Sequence, residues 1–172
     1  MPLVFHHVSF AYDGSPLDVV ADLSAHFPVG WTGVVGANGV GKSTVLQLAV
    51  GLLEPTDGSV QDGRAALYCA QRTDDAPAHL QELALDYSAE ASVLRQRLGI
   101  GDGWAGRWHS LSHGERKRCQ IATALWQRPD VLAIDEPMTA SPISRITVRT
   151  SAKSTLMRPG TVMSSEIPRV AP

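Results

Sequence analysis

Residues 36–43, which read Gly-Ala-Asn-Gly-Val-Gly-Lys-Ser, have the types and spacing needed to hold a chain of phosphates. They fit the pattern G-x-x-x-x-G-K-[ST], in which glycines let several backbone N–H groups converge on one anion. Lys42 brings a compact positive charge to the β- and γ-phosphates, and the Ser43 hydroxyl can ligate Mg²⁺. The predicted phosphate-binding residues are Gly36, Asn38, Gly39, Gly41, Lys42, Ser43 and Thr44.

Such a loop works only between a strand that delivers it and a helix whose N-terminus faces the anion. Residues 31–35, Trp-Thr-Gly-Val-Val, form a short apolar run that ends at Gly36. Residues 43–53 are mostly apolar and predict a largely buried helix. The sequence therefore predicts both flanking elements, and they favour a nucleotide site over a chance glycine-rich turn.

The remaining pattern alternates strands and helices, which indicates an α/β fold. Apolar runs and turn signals predict strands over 3–10, 19–27, 65–70 and 131–134, with a loop over 54–58. Periodicity predicts an amphipathic helix over 79–98, a glycine-rich connection over 99–106 and a helix over 115–126.

Composition limits the function classes. The chain has 172 residues, a net charge of −2 and 44% hydrophobic residues, which is typical of one globular domain. Because the charge is weakly negative, no DNA-binding surface is expected. We find no stretch suited to membrane insertion and no secretory signal, so we expect a cytoplasmic protein. Cys69 and Cys119 are expected to be buried apolar residues.

Three further features follow the loop in a fixed order. They are Gln71 at the end of a strand, Leu-Ser-His-Gly-Glu at 111–115, and the apolar strand 131–134 followed by Asp135, Glu136 and Pro137. This order resembles the ATP-binding cassette (ABC) ATPases over residues 1–137. The resemblance implies a P-loop core with a mostly parallel sheet, an N-terminal antiparallel β-subdomain and a small helical subdomain.

The resemblance also implies roles in binding and hydrolysing Mg-ATP. Asp135, Gln71 and Ser43 would hold Mg²⁺, while Glu136 would polarise the attacking water that Gln71 also contacts. An apolar strand that ends in a carboxylate suits this metal, because Mg²⁺ prefers oxygen ligands. Tyr12 resembles the aromatic residue that stacks on adenine, although packing of this ring on the core is a competing interpretation.

The Leu-Ser-x-Gly-Glu signature of this family acts on a nucleotide bound by another cassette. Ser112 and the backbone N–H of Gly114 would then meet the γ-phosphate held by a second chain. His113 fills the variable position of the signature and is interpreted as tolerated there. The expected partner is a second ABC cassette, either another copy of this chain or a complete cassette.

Residues 114–126 are similar to the ABC-F proteins, which act on ribosomes, and the segment between Gln71 and Leu111 is short. The main sequence interpretation is therefore an ABC-F-like ATPase with a ribosomal partner. One alternative is the ATP-binding subunit of a transporter, with a membrane permease as partner. Another is a truncated module that binds ATP without turnover.

Residues 138–172 depart from the family pattern. No aspartate follows Asp135 and no histidine follows His113, so the D-loop aspartate and the switch histidine of the family are missing. We expect a cassette truncated after the Asp135–Pro137 segment, with a basic, poorly ordered tail. A frameshift would explain this tail and is testable by reading the other two frames of the gene. Without later strands, we expect an open edge beside strand 131–134 and self-association.

Overall fold

The computed structural model of the protein describes residues 2–61, 65–135, 146–150 and 164–166. They form two compact units, one made of the chain up to Tyr68 and from Pro129 onward, the other of Cys69–Arg128. The strands are β1 (Leu3–Phe10), β2 (Val20–Phe27), β3 (Gly30–Val35), β4 (Asp57–Gln61), β5 (Ala66–Cys69), β6 (Val131–Ile134), β7 (Ile146–Thr150) and β8 (Ser164–Glu166). The helices are α1 (Lys42–Ala49), α2 (Leu80–Leu85), α3 (Ala89–Arg97), a 3₁₀ helix (Trp104–Ser110) and α4 (His113–Trp126).

An antiparallel sheet forms the N-terminal part of the first unit, as expected. Its strand order is β2-β1-β4, and β1 pairs with both neighbours. The sequence interpretation treated 54–58 as a loop and missed β4, because Pro55 and Gly58 look like breakers. Gly58 has a φ of +80°, and a Cβ there would collide with the His7 carbonyl oxygen. Glycine therefore allows β4 to begin against β1.

The second sheet has the order β5-β6-β7-β3-β8 and carries the phosphate-binding loop. β8 runs parallel to β3, whereas β7 runs antiparallel to both β3 and β6. The α/β fold class is confirmed, with β7 reversed within the sheet. The expectation of an open edge beside β6 was wrong, because β5 and β7 flank it. The Ile-Thr-Val run that opens β7 consists of β-branched residues, which favour strands.

Apolar side chains of the first unit form one core between these elements. Phe5 and Phe27 pack with ring centroids 5.5 Å apart. α1 packs against β6, and all four residues of β6 are buried. Members of the core include Leu3, Phe5, Val8, Phe27, Val34, Leu46, Leu48, Val131 and Ala133.

The second unit is helical, which agrees with the predicted small subdomain. The single helix predicted over 79–98 is in fact two helices, because residues 86–88 break it. Asp86 Oδ1 accepts a hydrogen bond from the Ser88 N–H at 2.8 Å, and Ser88 Oγ caps α3 by accepting from the Ala91 N–H at 3.2 Å. Side chains that bond nearby backbone in this way compete with helix continuation. α2 and α3 both pack on α4.

Both cysteines are buried and unoxidised, as expected from the sequence. Burial raises the pKa of each thiol to about 11. Neither is therefore a thiolate at neutral pH, which agrees with their interpretation as small core residues. Among the helices that the structure describes, none combines the length and the hydrophobicity required to cross a bilayer.

Candidate nucleotide-binding site

The loop between β3 and α1 has the backbone conformation that its glycines predict. Gly39 and Gly41 have φ angles of +80° and +89°, which other residues rarely adopt. A Cβ at Gly41 would lie 2.9 Å from the Val19 carbonyl oxygen, whereas one at Gly39 would meet nothing within 4 Å. Position 41 therefore requires glycine for two reasons, its φ angle and its close approach to the chain at Val19.

Lys42 is the first residue of α1, and only 7% of it is exposed. Its ammonium donates hydrogen bonds to the carbonyl oxygens of Ala37 at 2.6 Å and Gly36 at 3.1 Å. The side chain thus folds back over the loop that precedes its own helix. Because an ammonium has three N–H donors, it can hold this loop and still donate to a phosphate oxygen.

The next two residues point to different environments. Ser43 is exposed in the first turn of α1, where the helix dipole favours anions and where a hydroxyl can reach a metal ion. Thr44 is buried, and its Oγ1 lies 3.1 Å from the hydroxyl oxygen of Tyr12. The hydroxyl pair links the chain after β1 to the start of α1.

Tyr12 combines features of both interpretations of its role. Its side chain is 46% exposed, which leaves ring surface accessible to a base. The ring also packs edge-to-face on Phe10, with centroids 4.9 Å apart. Because the hydroxyl bonds Thr44, the exposed ring is tied to the helix that carries the phosphate-binding residues. Its stacking on adenine stays a prediction.

Asp135 follows β6 directly and is 5% exposed. Tyr68 lies on β5, the neighbour of β6, and its hydroxyl donates a hydrogen bond to Asp135 Oδ2 at 2.8 Å. Burial, together with this carboxylate, raises the pKa of Tyr68 well above its ordinary value, so the phenol keeps its proton. Since α1 packs on β6, the strand that ends at Asp135 lies beside the helix that begins with Lys42 and Ser43.

Gln71, in the second unit, is exposed and follows β5 by two residues. The backbone before it is fixed by the buried Lys117 of α4, whose ammonium donates to the Ala70 carbonyl at 2.6 Å. The backbone after it is fixed by Trp108, whose indole N–H donates to the Asp74 carbonyl at 3.0 Å. Residues 70–74 are therefore held at one end by Lys117 of α4 and at the other by Trp108 of the 3₁₀ helix that precedes α4.

Ser112 and Gly114 open α4, also in the second unit. Ser112 is the N-cap, and its Oγ accepts from the Glu115 N–H at 3.3 Å. In return, Glu115 Oε2 accepts from both the N–H and the hydroxyl of Ser112 at 2.7 Å. This capping box lowers the pKa of Glu115. Exposed His113 lies beside it.

The structure thus brings together the phosphate-binding loop, Tyr12 and, through α1 and β6, Asp135. Gln71, Ser112 and Gly114 belong to the other unit. The predicted catalytic residue Glu136 lies outside the described residues, as does most of the 138–172 segment.

The oxygen donors present suit Mg²⁺ bound with a nucleotide. Mg²⁺ in phosphate-transfer sites is held by one or two carboxylates, a hydroxyl and the substrate's own phosphates, which matches Asp135 and Ser43. Among residues 2–61, 65–135 and the two later strands, no group of three or more His, Cys, Asp or Glu residues could hold a metal alone. The set fits a metal that arrives with ATP.

Comparison with known families decides the classification. A family model described as "ABC transporter" matches residues 21–139 of this chain. The chain belongs to the ABC transporter ATPase domain family. The match includes the P-loop and Asp135, and it covers the second unit completely and the first unit in part. ATP binding and ATPase activity are general properties of the family.

The curated relatives of this ABC domain include ATP-binding proteins of importers. The zinc import ATP-binding protein ZnuC of Vibrio vulnificus is 39% identical over 116 residues, covering 62% of this chain and 44% of that protein. The aliphatic sulfonates import ATP-binding protein SsuB of Escherichia coli is 34% identical over 157 residues, covering 81% and 60%. The chain spans about half the length of the curated relatives it matches.

A solved structure agrees in fold. The cbiO1 protein of Clostridium perfringens, part of the ABC transporter complex cbiONQ, aligns with a TM-score of 0.62 at 23% identity. The alignment covers 80% of this chain and 66% of that one. The sequence resemblance to ABC ATPases is therefore confirmed at the level of the family, while the ABC-F assignment finds no support among these relatives.

Two residues with clear roles in the structure were missed from the sequence. Tyr68 looked like one member of a short apolar strand, and only its cross-strand neighbour Asp135 gives it meaning. From the sequence, Lys117 is only one residue in the basic N-terminal half of the helix predicted over 115–126. A helical register would have found it, since Lys117 lies two turns before the buried Ala124 on the same face.

Proposed function

We propose that this chain is the nucleotide-binding part of an ABC transporter ATP-binding subunit that binds and hydrolyses Mg-ATP. The observation that carries the proposal is the phosphate-binding loop itself. Lys42 folds over it, glycines shape it, and α1 behind it packs on the strand that ends at Asp135. Loop amides and a helix N-terminus attract phosphates, and the carboxylate supplies an oxygen for Mg²⁺.

Each proposed role follows from chemistry. Lys42 neutralises charge on the β- and γ-phosphates, while Ser43 and Asp135 hold Mg²⁺, which stabilises the negative charge that develops on transfer. Glu136 accepts a hydrogen bond from the water that attacks the γ-phosphorus, and Gln71 helps to orient that water. Tyr12 supports the base by stacking.

The signature residues complete the site of a second cassette. Ser112 and the backbone N–H of Gly114 lie at the start of α4, where the helix dipole favours an anion. The Ser112 hydroxyl now donates to Glu115, so it must exchange this acceptor for a phosphate oxygen of the partner's nucleotide. Hydrolysis in this proposal therefore requires a head-to-tail dimer.

A transporter role is favoured over an ABC-F role, because the curated relatives are importer ATP-binding proteins. The subunit would sit at the cytoplasmic face of a membrane and would work with a permease. The ABC-F alternative rests on residues 114–126 and on the short segment between Gln71 and Leu111. Cosedimentation with ribosomes in the presence of Mg-ATP separates the two roles: an unbound chain agrees with the transporter role, and a stoichiometric complex contradicts it.

Equilibrium binding of a fluorescent ATP analogue tests the nucleotide site. We expect saturable binding by the wild type and at least about tenfold weaker binding by Lys42→Ala, since a hydrogen bond from a charged group is lost. Arg97→Ala, which removes an exposed cation from the end of α3, is the matched control and should bind normally. Equal affinity of all three proteins would refute the proposed site.

A further inference from the structure

Tyr68 lies outside the phosphate-binding loop, yet its hydroxyl contacts the carboxylate proposed to hold Mg²⁺. The Oη–Oδ2 distance to Asp135 is 2.8 Å, and the phenol is the donor. Asp135 is 5% exposed, so bulk water has little access to replace this contact. A bond to a charged acceptor in such a setting is shorter and stronger than a neutral one.

The hydroxyl is also well placed to fix the direction of the carboxylate. The last side-chain torsion of an aspartate is broad and roughly two-fold, so hydrogen bonds to its oxygens decide which way the carboxylate faces. Tyr68 stands on β5, the neighbour of β6 in the sheet, and the strand pairing fixes its distance from the end of β6. The bond therefore restrains Oδ2 through a rigid part of the fold.

Tyr68 is itself held in place by the core. Its ring packs on the core cluster of the first unit, which also contains Leu46 and Leu48 of α1 and Val131 and Ala133 of β6. The packed ring therefore fixes the position from which the hydroxyl reaches Asp135. Groups that hold a metal ligand in this way commonly set metal affinity.

We propose that Tyr68 is a positioning residue that orients the Asp135 carboxylate for the Mg²⁺ of bound Mg-ATP. This inference rests on the proposed function. The phenol does not touch the nucleotide. It acts through Asp135, so its removal weakens the metal-dependent part of ATP binding and spares the part due to the loop and Lys42.

The test compares the dissociation constant of a fluorescent ATP analogue in excess EDTA with that in Mg²⁺. The ratio of the two constants reports the contribution of the metal. In Tyr68→Phe we expect this ratio to fall about tenfold, the lower end for loss of a group that supports a metal ligand. The constant in EDTA should stay within about twofold, because Phe keeps the ring and its packing. Tyr87→Phe, a change at an 85% exposed tyrosine, is the control and should leave both constants unchanged.

A double-mutant cycle shows whether Tyr68 acts through Asp135. Tyr68→Phe should not lower the ratio further in an Asp135→Asn background. A Tyr68→Phe protein with the wild-type ratio would overturn the inference alone. A parallel rise of both constants, together with a lower melting temperature, would also overturn it, since it would mean a purely structural role. A wild type that binds equally with and without Mg²⁺ would overturn the proposed Mg²⁺ site and this inference together.

Discussion

Two glycines in the phosphate-binding loop differ in a way that only the structure reveals. Both have positive φ, but a Cβ would collide with the Val19 backbone at Gly41 and would meet open space at Gly39. Gly41→Ala should therefore cost about 1–3 kcal/mol more unfolding free energy than Gly39→Ala, because both share the backbone strain and only one adds a clash. Urea denaturation measures the difference. Equal losses would mean that the approach to Val19 is loose in solution.

At Glu115, the bonds from Ser112 stabilise the charged carboxylate and lower its pKa. A lowered folded-state pKa adds stability at pH values above the ordinary Glu value, and this stability is lost as pH falls through the folded-state value. Ser112→Ala should raise the Glu115 pKa toward its ordinary value of 4.5. NMR titration of the carboxyl carbon measures it, with Ser110→Ala as control. An unchanged pKa in Ser112→Ala would show that the capping box does not persist in solution.

At the residue scale, the sequence was most informative about the phosphate-binding loop, where a single motif predicts a function. The loop residues 36–44 could be predicted because each has a distinct chemical reason. The role of Tyr68 could not be predicted, because its contact with Asp135 depends on β5 and β6 being neighbours in the sheet. Local sequence patterns do not determine the order of strands in a sheet.

At the scale of elements, residues 70–74 depend on anchors from the 3₁₀ helix and from α4. Trp108→Phe removes the bond from the indole to the Asp74 carbonyl while it keeps an aromatic ring in the core. We expect a loss of about 1 kcal/mol and faster amide hydrogen exchange in residues 72–76.

The matched control for this prediction is Trp126→Phe, whose indole instead donates to Asp86 Oδ2 at 2.7 Å. It should leave exchange in residues 72–76 unchanged. If both variants accelerate exchange there equally, the effect is a general loss of stability and not the loss of this anchor.

Strands and helices with strong periodicity were predicted within a few residues, as for β1, β2, β6 and α4. Two errors have different causes: pairing with another strand overrides local preference at β4, whereas local hydrogen bonds interrupt the helix predicted over 79–98. β4 forms despite Gly58 because it pairs in antiparallel fashion with β1. The helix predicted over 79–98 breaks because polar side chains at 86 and 88 satisfy the backbone locally.

At the scale of the whole molecule, the sheet order changes the expected association behaviour. With β5 and β7 on either side of β6, no open edge of that strand promotes aggregation. We expect a monomer without nucleotide and a dimer with Mg-ATP in Glu136→Gln, where hydrolysis is blocked. Light scattering after size exclusion measures both states. An oligomer that forms without nucleotide would instead support association through exposed strand edges.

The most direct test of the account is steady-state Mg²⁺-dependent ATP hydrolysis by the purified chain across a range of protein concentrations. Because two cassettes share each proposed site, we expect a rate that rises more steeply than linearly with protein concentration and that is lost in Lys42→Ala and in Glu136→Gln. A wild-type rate no higher than that of Lys42→Ala at every concentration would contradict it.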